Sequence, residues 1–68
     1  MARVLLGIRG MESESDANKV KETLLAVEGV QKVEASGKQA AVEYDPGDST
    51  ITDLIRALRK VGFSAGME

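Results

Sequence analysis

The apolar pattern predicts an α+β fold, with a four-stranded antiparallel sheet carrying two helices on one face in the order β-α-β-β-α-β. Three observations carry that reading. Short runs at residues 3–9, 30–36 and 40–44 alternate apolar and polar side chains with the period of a strand, while stretches near 15–28 and 50–61 repeat with the period of a helix. Glycines or Pro46 stand at the joints between these segments. The chain has only 68 residues, 43% hydrophobic and 29% charged. A chain of that size buries about 60% of its unfolded surface, so residues 1–68 make a single domain around one core.

The elements follow in order. Val4, Leu6 and Ile8 alternate with Arg3, Leu5, Gly7 and Arg9, giving a strand with one strongly apolar face, and Gly10 breaks it. Residues 11–15 are polar apart from Met11 and lead into the first helix, where Ala17, Val20, Leu24 and Val27 share one face. Ser13, Ser15 and Asp16 are candidate N-caps, and Gly29 is placed to end the helix. Val33 and Ala35 mark the second strand. Gly37-Lys38 forms a tight turn into the third, where Ala40, Val42 and Tyr44 face inward. Asp45-Pro46-Gly47-Asp48 is a loop, because Pro46 cannot donate to a ladder. Ser49 or Thr50 caps the second helix, and Thr50 with Asp53 makes a capping box with Asp in place of Glu. Ile51, Leu54, Ile55, Leu58 and Val61 form its apolar stripe. Gly62 ends it, and Phe63-Ser64-Ala65 is the candidate for a short fourth strand. Three strands with a frayed end are the structural alternative.

Composition removes several chemistries. The chain has no Cys and no His, so it cannot use a thiolate nucleophile, a disulfide, a thiolate zinc site or a histidine base. No serine has a histidine or buried lysine beside it, and an enzyme is not expected. Gly7-Ile8-Arg9-Gly10 lacks the glycines and the Gly-Lys-Ser/Thr ending of a phosphate loop. Eleven acids against nine bases argue against a polyanion-binding field, and one Tyr with one Phe offers no stacking platform, so nucleic acid is not an expected partner. No apolar run reaches the roughly 18 residues a membrane helix requires. No signal peptide is read at the start, so the expected compartment is the cytoplasm. Two charge clusters stand out, Glu12, Glu14 and Asp16 in one and Arg56, Arg59 and Lys60 in the other. The plain reading of both is a solvated face.

The stretch Gly10-Met11-Glu12-Ser13-Glu14-Ser15-Asp16-Ala17, after a strand and opening a helix, resembles the metal loop of heavy-metal-associated domains, Gly-Met-x-Cys-x-x-Cys. Glu28-Gly29-Val30, the run Val42 to Pro46 and the closing Val61-Gly62-Phe63 extend the resemblance over nearly the whole chain. The family includes copper chaperones, mercury-binding proteins and the metal-binding domains of P-type ATPases. The resemblance implies a ferredoxin-like sandwich, in agreement with the pattern above, and a metallochaperone-like role.

One departure dominates. The family's two cysteine positions are Ser13 and Asp16 here. The family metals, Cu(I), Hg(II), Zn(II) and Cd(II), are held there by two thiolates. A protonated serine hydroxyl and a hard carboxylate are poor substitutes for soft ions, so no metal is expected to bind tightly. The resemblance casts Met11 and Phe63 as loop support; a thioether ligand is the competing reading for Met11, and simple core filling the competing reading for Phe63. Glu12 and Glu14 are further oxygen donors for a harder divalent cation. Against that site, acids at a helix start already satisfy free N–H groups and the helix dipole. As a partner the resemblance implies a metal-transporting P-type ATPase or a similar small domain, met through electrostatic contacts with Lys19, Lys21, Arg56, Arg59 and Lys60 on one side. A metal-independent interaction module, using an exposed sheet edge, is the alternative. The chain is expected to be a monomer or weak dimer.

Overall fold

The computed structural model describes residues 1–67 and contains all six predicted elements: β1 (Ala2–Arg9), α1 (Glu14–Leu25), β2 (Val30–Ser36), β3 (Gln39–Tyr44), α2 (Ile51–Lys60) and β4 (Ser64–Met67). The strands form one antiparallel sheet in the order β2-β3-β1-β4. This is the ferredoxin-like arrangement. β1 and β3 take the centre, paired Val4 to Val42 and Leu6 to Ala40. Val33 of β2 then lies opposite Val42 from the other side. Paired residues point to the same face of an antiparallel sheet, so these side chains make one apolar layer. Both helices cover that layer, α1 against β2 and α2 against β4, with the helices touching each other. No helix among the described residues is long and apolar enough to cross a membrane.

Leu6, Val20, Leu24, Val42, Leu54 and Leu58 are fully buried, and each helix contributes two of them. Burying one such side chain contributes about 1.5–3 kcal/mol. The opposite face of the sheet is open. There Arg3 stands across from Glu43, and Leu5 from Ala41. Lys32 and Glu34 form an exposed ion pair at 3.0 Å on the same face.

Three expectations are corrected. The first helix stops at Leu25, not near residue 28. Ala26 is its C-cap, with its N–H donating to the Glu22 and Leu24 carbonyls. Gly29 therefore does not end the helix. It turns the chain into β2 at φ +86°, while Asp45 N donates to its carbonyl at 2.8 Å. Because Val27 lies beyond the helix, it is only partly buried against the core. The fourth strand runs over Ser64–Met67, not 63–65. Phe63 precedes it and packs into the core, because its N–H is taken by the Leu58 carbonyl at the end of α2 and not by a strand partner.

Candidate metal-loop site

β1 delivers the chain to Gly10, whose φ of +98° lies where residues with a Cβ are strained. A side chain there would also stand 3.4 Å from Phe63 Cδ1, so the ring lies directly beside the loop. Met11 follows, 3% exposed, and Phe63 is 6% exposed. Both belong to the core cluster. Phe63 reaches this position from the tight end of α2, where Gly62 N donates to the Arg59 carbonyl at 3.1 Å and Phe63 N to the Leu58 carbonyl at 3.0 Å.

Ser13 is the N-cap of α1. Its backbone is extended, at φ −133° and ψ 168°, and its hydroxyl oxygen accepts from Asp16 N at 3.2 Å. Asp16 Oδ2 in turn accepts from Glu12 N, also at 3.2 Å, and Ala17 N donates to the Ser13 carbonyl at 3.0 Å. The two side chains thus tie residues 12–16 into one closed turn. The arrangement satisfies N–H groups that a helix start leaves free and sets carboxylates at its positive end. Of the three N-cap candidates, Ser13 is the one used. Ser13, Glu12, Glu14 and Ser15 are exposed, while Asp16 is half-buried. It is held inward because its carboxylate reaches back over the turn.

The donor set does not suit a soft ion. Ser13 and Asp16 each have an oxygen engaged with the backbone, and the neighbouring sulfur, in Met11, is buried. Among the described residues no group of three or more His, Cys, Asp or Glu side chains is placed to share a metal ion.

Two residues that sequence reasoning missed also border the loop. A cavity of about 320 Å³ is lined by Arg9, Gly10, Met11, Glu12 and Lys38, among others. Lys38 comes from the tip of the β2–β3 turn, whose carbonyl accepts from Ile8 N at 2.7 Å. The two-residue Gly37-Lys38 turn was legible in the sequence, but its position beside the loop follows from the β1–β3 pairing. The loop therefore presents Glu12 with cations on its flank. The cluster Arg56, Arg59 and Lys60 lies on α2, where Arg59 and Lys60 occupy the last turn and complement the helix dipole.

A family model described as heavy-metal-associated domain matches residues 5–64. A stretch of mercuric reductase from Shewanella putrefaciens is 43% identical over 63 residues, which is 91% of this chain but 11% of the reductase. The chain therefore spans only about a tenth of that curated relative. Among solved structures, oxidized MerP from Ralstonia metallidurans CH34 superposes with a TM-score of 0.95 at 28% identity, over 98% of this chain and 96% of that one. A copper binding domain from HMA7, a P-type ATPase, superposes at 0.97 with 27% identity, over 100% of this chain and 95% of its own.

Proposed function

The chain belongs to the heavy-metal-associated domain family, and from that premise we propose that it is a metal-trafficking domain whose loop has given up tight soft-metal binding. The observation that carries this reading is the Ser13–Asp16 pair. We take it to occupy the family's two ligand positions, with Ser13 the cap just before α1 and Asp16 in the first turn of that helix, and its oxygens bond to the backbone of their own turn. The scaffold around the loop is complete, with Met11 and Phe63 buried beneath it as support. The domain itself is non-catalytic in this proposal. Any reductase or transport chemistry belongs to other parts of a longer protein or to a partner. The 43% identity to part of a mercuric reductase supports a mercury-handling ancestry. A metal-transporting P-type ATPase or a domain of the same fold is the partner class proposed, in the cytoplasm.

The test is to restore the thiols. As written, the chain should lose Cu(I) and Hg(II) to a strong chelator, because neither ligand position offers sulfur. Ser13→Cys with Asp16→Cys should create a soft-metal site, since positions three apart at a helix entry can face one ion and the helix N-terminus favours thiolate. Removing the cap should cost about 1–2 kcal/mol of stability in the metal-free double variant. Competition against a chelator, with circular dichroism to check folding, reads both effects. A folded double variant without tight Cu(I) or Hg(II) binding would overturn the reading, and so would tight retention by the unaltered chain.

A further inference from the structure

We infer that the free edge of β2 is the pairing site for a second copy of this chain, joined antiparallel about Val33 with Lys32 of each copy opposite Glu34 of the other. The inference concerns the sheet edge alone and does not rest on the metal-loop reading. β2 lies at the outside of the sheet, next to β3 only. The direction of its free backbone groups follows from the ladder. Ile8 N donates to the Lys38 carbonyl at 2.7 Å, and that pair continues the β1–β3 register of Leu6 with Ala40 and Val4 with Val42. Hydrogen-bonded pairs recur at every second residue of an antiparallel ladder, so Val42 directs its N–H and C=O toward Val4. Its pairing with Val33 on the other side is therefore a non-hydrogen-bonded one, and the N–H and C=O of Val33 point out from the edge. Ala35, opposite Ala40, is placed in the same way.

Charge selects the register. A pairing of two β2 edges centred on Lys32 or on Glu34 would set like charges directly opposite, which is destabilising. One centred on Ala35 would carry Lys32 past the end of the second strand at Ser36. Centred on Val33, the pairing sets Lys32 against the second copy's Glu34 twice over by symmetry, and Val33 exchanges both backbone hydrogen bonds with its own counterpart. Lys32 and Glu34 then make a non-hydrogen-bonded pair, in which side chains approach more closely. The open face already carries the start of that row. Arg3 stands opposite Glu43, and Glu43 opposite Lys32, so charge alternates across three strands and ends in an exposed cation at the edge. The second copy's Glu34 continues the alternation. On the helix side, a notch of about 290 Å³ is lined by Ala17, Asn18 and Lys21 of α1 and by Val33, Glu34 and Ala35 of β2. Among the described residues its lining takes nothing from β3, so it opens along the free edge. The second copy's Val33 comes to this same face and brings an apolar side chain to the notch. The contact is short, at the small end of protein interfaces, so the dimer is weak and reversible.

Sedimentation equilibrium and amide exchange on the full metal-free chain, from micromolar to millimolar concentration, test this. The unaltered chain should self-associate over that range, and the Val33 amide should gain protection as concentration rises. Ala65 is the control at the other sheet edge. It lies opposite Ile8, so by the same alternation its amide also points outward, and it should keep its rate. Lys32→Glu and Glu34→Lys each set like charges opposite in two places and should weaken self-association about tenfold. Mixed in equal amounts, the two variants should pair with each other about tenfold more tightly than either pairs with itself, because every cross-strand contact is then between opposite charges. Both substitutions fall on exposed side chains, and circular dichroism checks that each variant folds. A chain that stays monomeric at millimolar concentration would overturn the inference. So would protection gained at Ala65 in place of Val33, or variants that associate no better mixed than alone. None of these measurements involves a metal, so the outcome for the cysteine variant leaves this result unaffected.

Discussion

Both helices begin with a Ser/Thr-x-x-Asp motif, and the two starts are built differently. At α2 the motif closes on itself. Thr50 Oγ1 accepts from Asp53 N at 3.3 Å, and Asp53 Oδ2 accepts from Thr50 N at 2.9 Å. At α1 the first half is the same, but the carboxylate passes over the cap residue and takes Glu12 N instead. One residue of reach separates a local helix cap from a bracket around a loop. The motif alone does not distinguish these outcomes. The direction from which the chain enters the helix does, and that direction is set by Gly10 and the buried Met11 on one side and by the Asp45–Asp48 turn on the other.

Predictions can sharpen this contrast, and the largest concern what the helices share. Leu24 and Leu54 are both fully buried, so Leu24→Ala and Leu54→Ala should each cost about 2–5 kcal/mol in urea unfolding. A loss under about 0.5 kcal/mol for either would mean that helix does not pack in this register.

Next come the two glycines at the joints. Gly29 and Gly10 both have positive φ, but only Gly29 is crowded. A Cβ there would lie 2.6 Å from Asp48 Cβ and 3.3 Å from the Asp45 carbonyl oxygen, against 3.4 Å from the Phe63 ring at Gly10. Gly29→Ala adds a clash with Asp48 Cβ to the left-handed strain and should cost about 3 kcal/mol, whereas Gly10→Ala should cost about 1–2 kcal/mol. Equal losses in thermal unfolding would erase the distinction between the joints.

Thr50→Ala should cost about 1 kcal/mol and speed amide exchange in the first turn of α2 alone. Loss of protection at Glu12 in that variant would show the two starts to be coupled.

The smallest effect concerns the Lys32–Glu34 pair on the open face. Its hydrogen bond, and then its charge, hold Glu34 below the usual carboxylate range and Lys32 above the usual lysine range. The Glu34 contribution is present above the ordinary carboxylate pKa and is lost as pH falls through the lowered value. The Lys32 contribution is present below the ordinary lysine pKa and is lost as pH rises through the raised one. Between those limits the pair operates in full, but with both side chains exposed its effect on stability is slight. Lys32→Ala should move the Glu34 titration upward by NMR, and an unmoved titration would show that the two groups do not interact.

The sequence by itself determined the first five elements, their order and the faces they bury, because each rests on local information, while the short fourth strand was one of two readings it left open. Alternation places Val4, Leu6 and Ile8 inward whatever lies opposite them. The helical stripe does the same for Leu54 and Leu58, and Thr50 with Asp53 is a cap within four residues. The resemblance likewise marked the loop and the two positions where cysteine is missing.

Only the tertiary structure decided the rest, because those features depend on partners distant along the chain. The strand order sets Lys38 beside the loop. The crowding of Gly29 exists only because the Asp45–Asp48 turn folds over it. The first helix ends at Leu25, before the glycine marked as its stop, because the chain must turn there for Val30 to meet Tyr44. The partner of the Asp16 carboxylate was equally hidden. Ser13 and Asp16 read as a cap or as a ligand pair from spacing alone, and the path of the backbone through Gly10 and Met11 carries Glu12 N to the carboxylate.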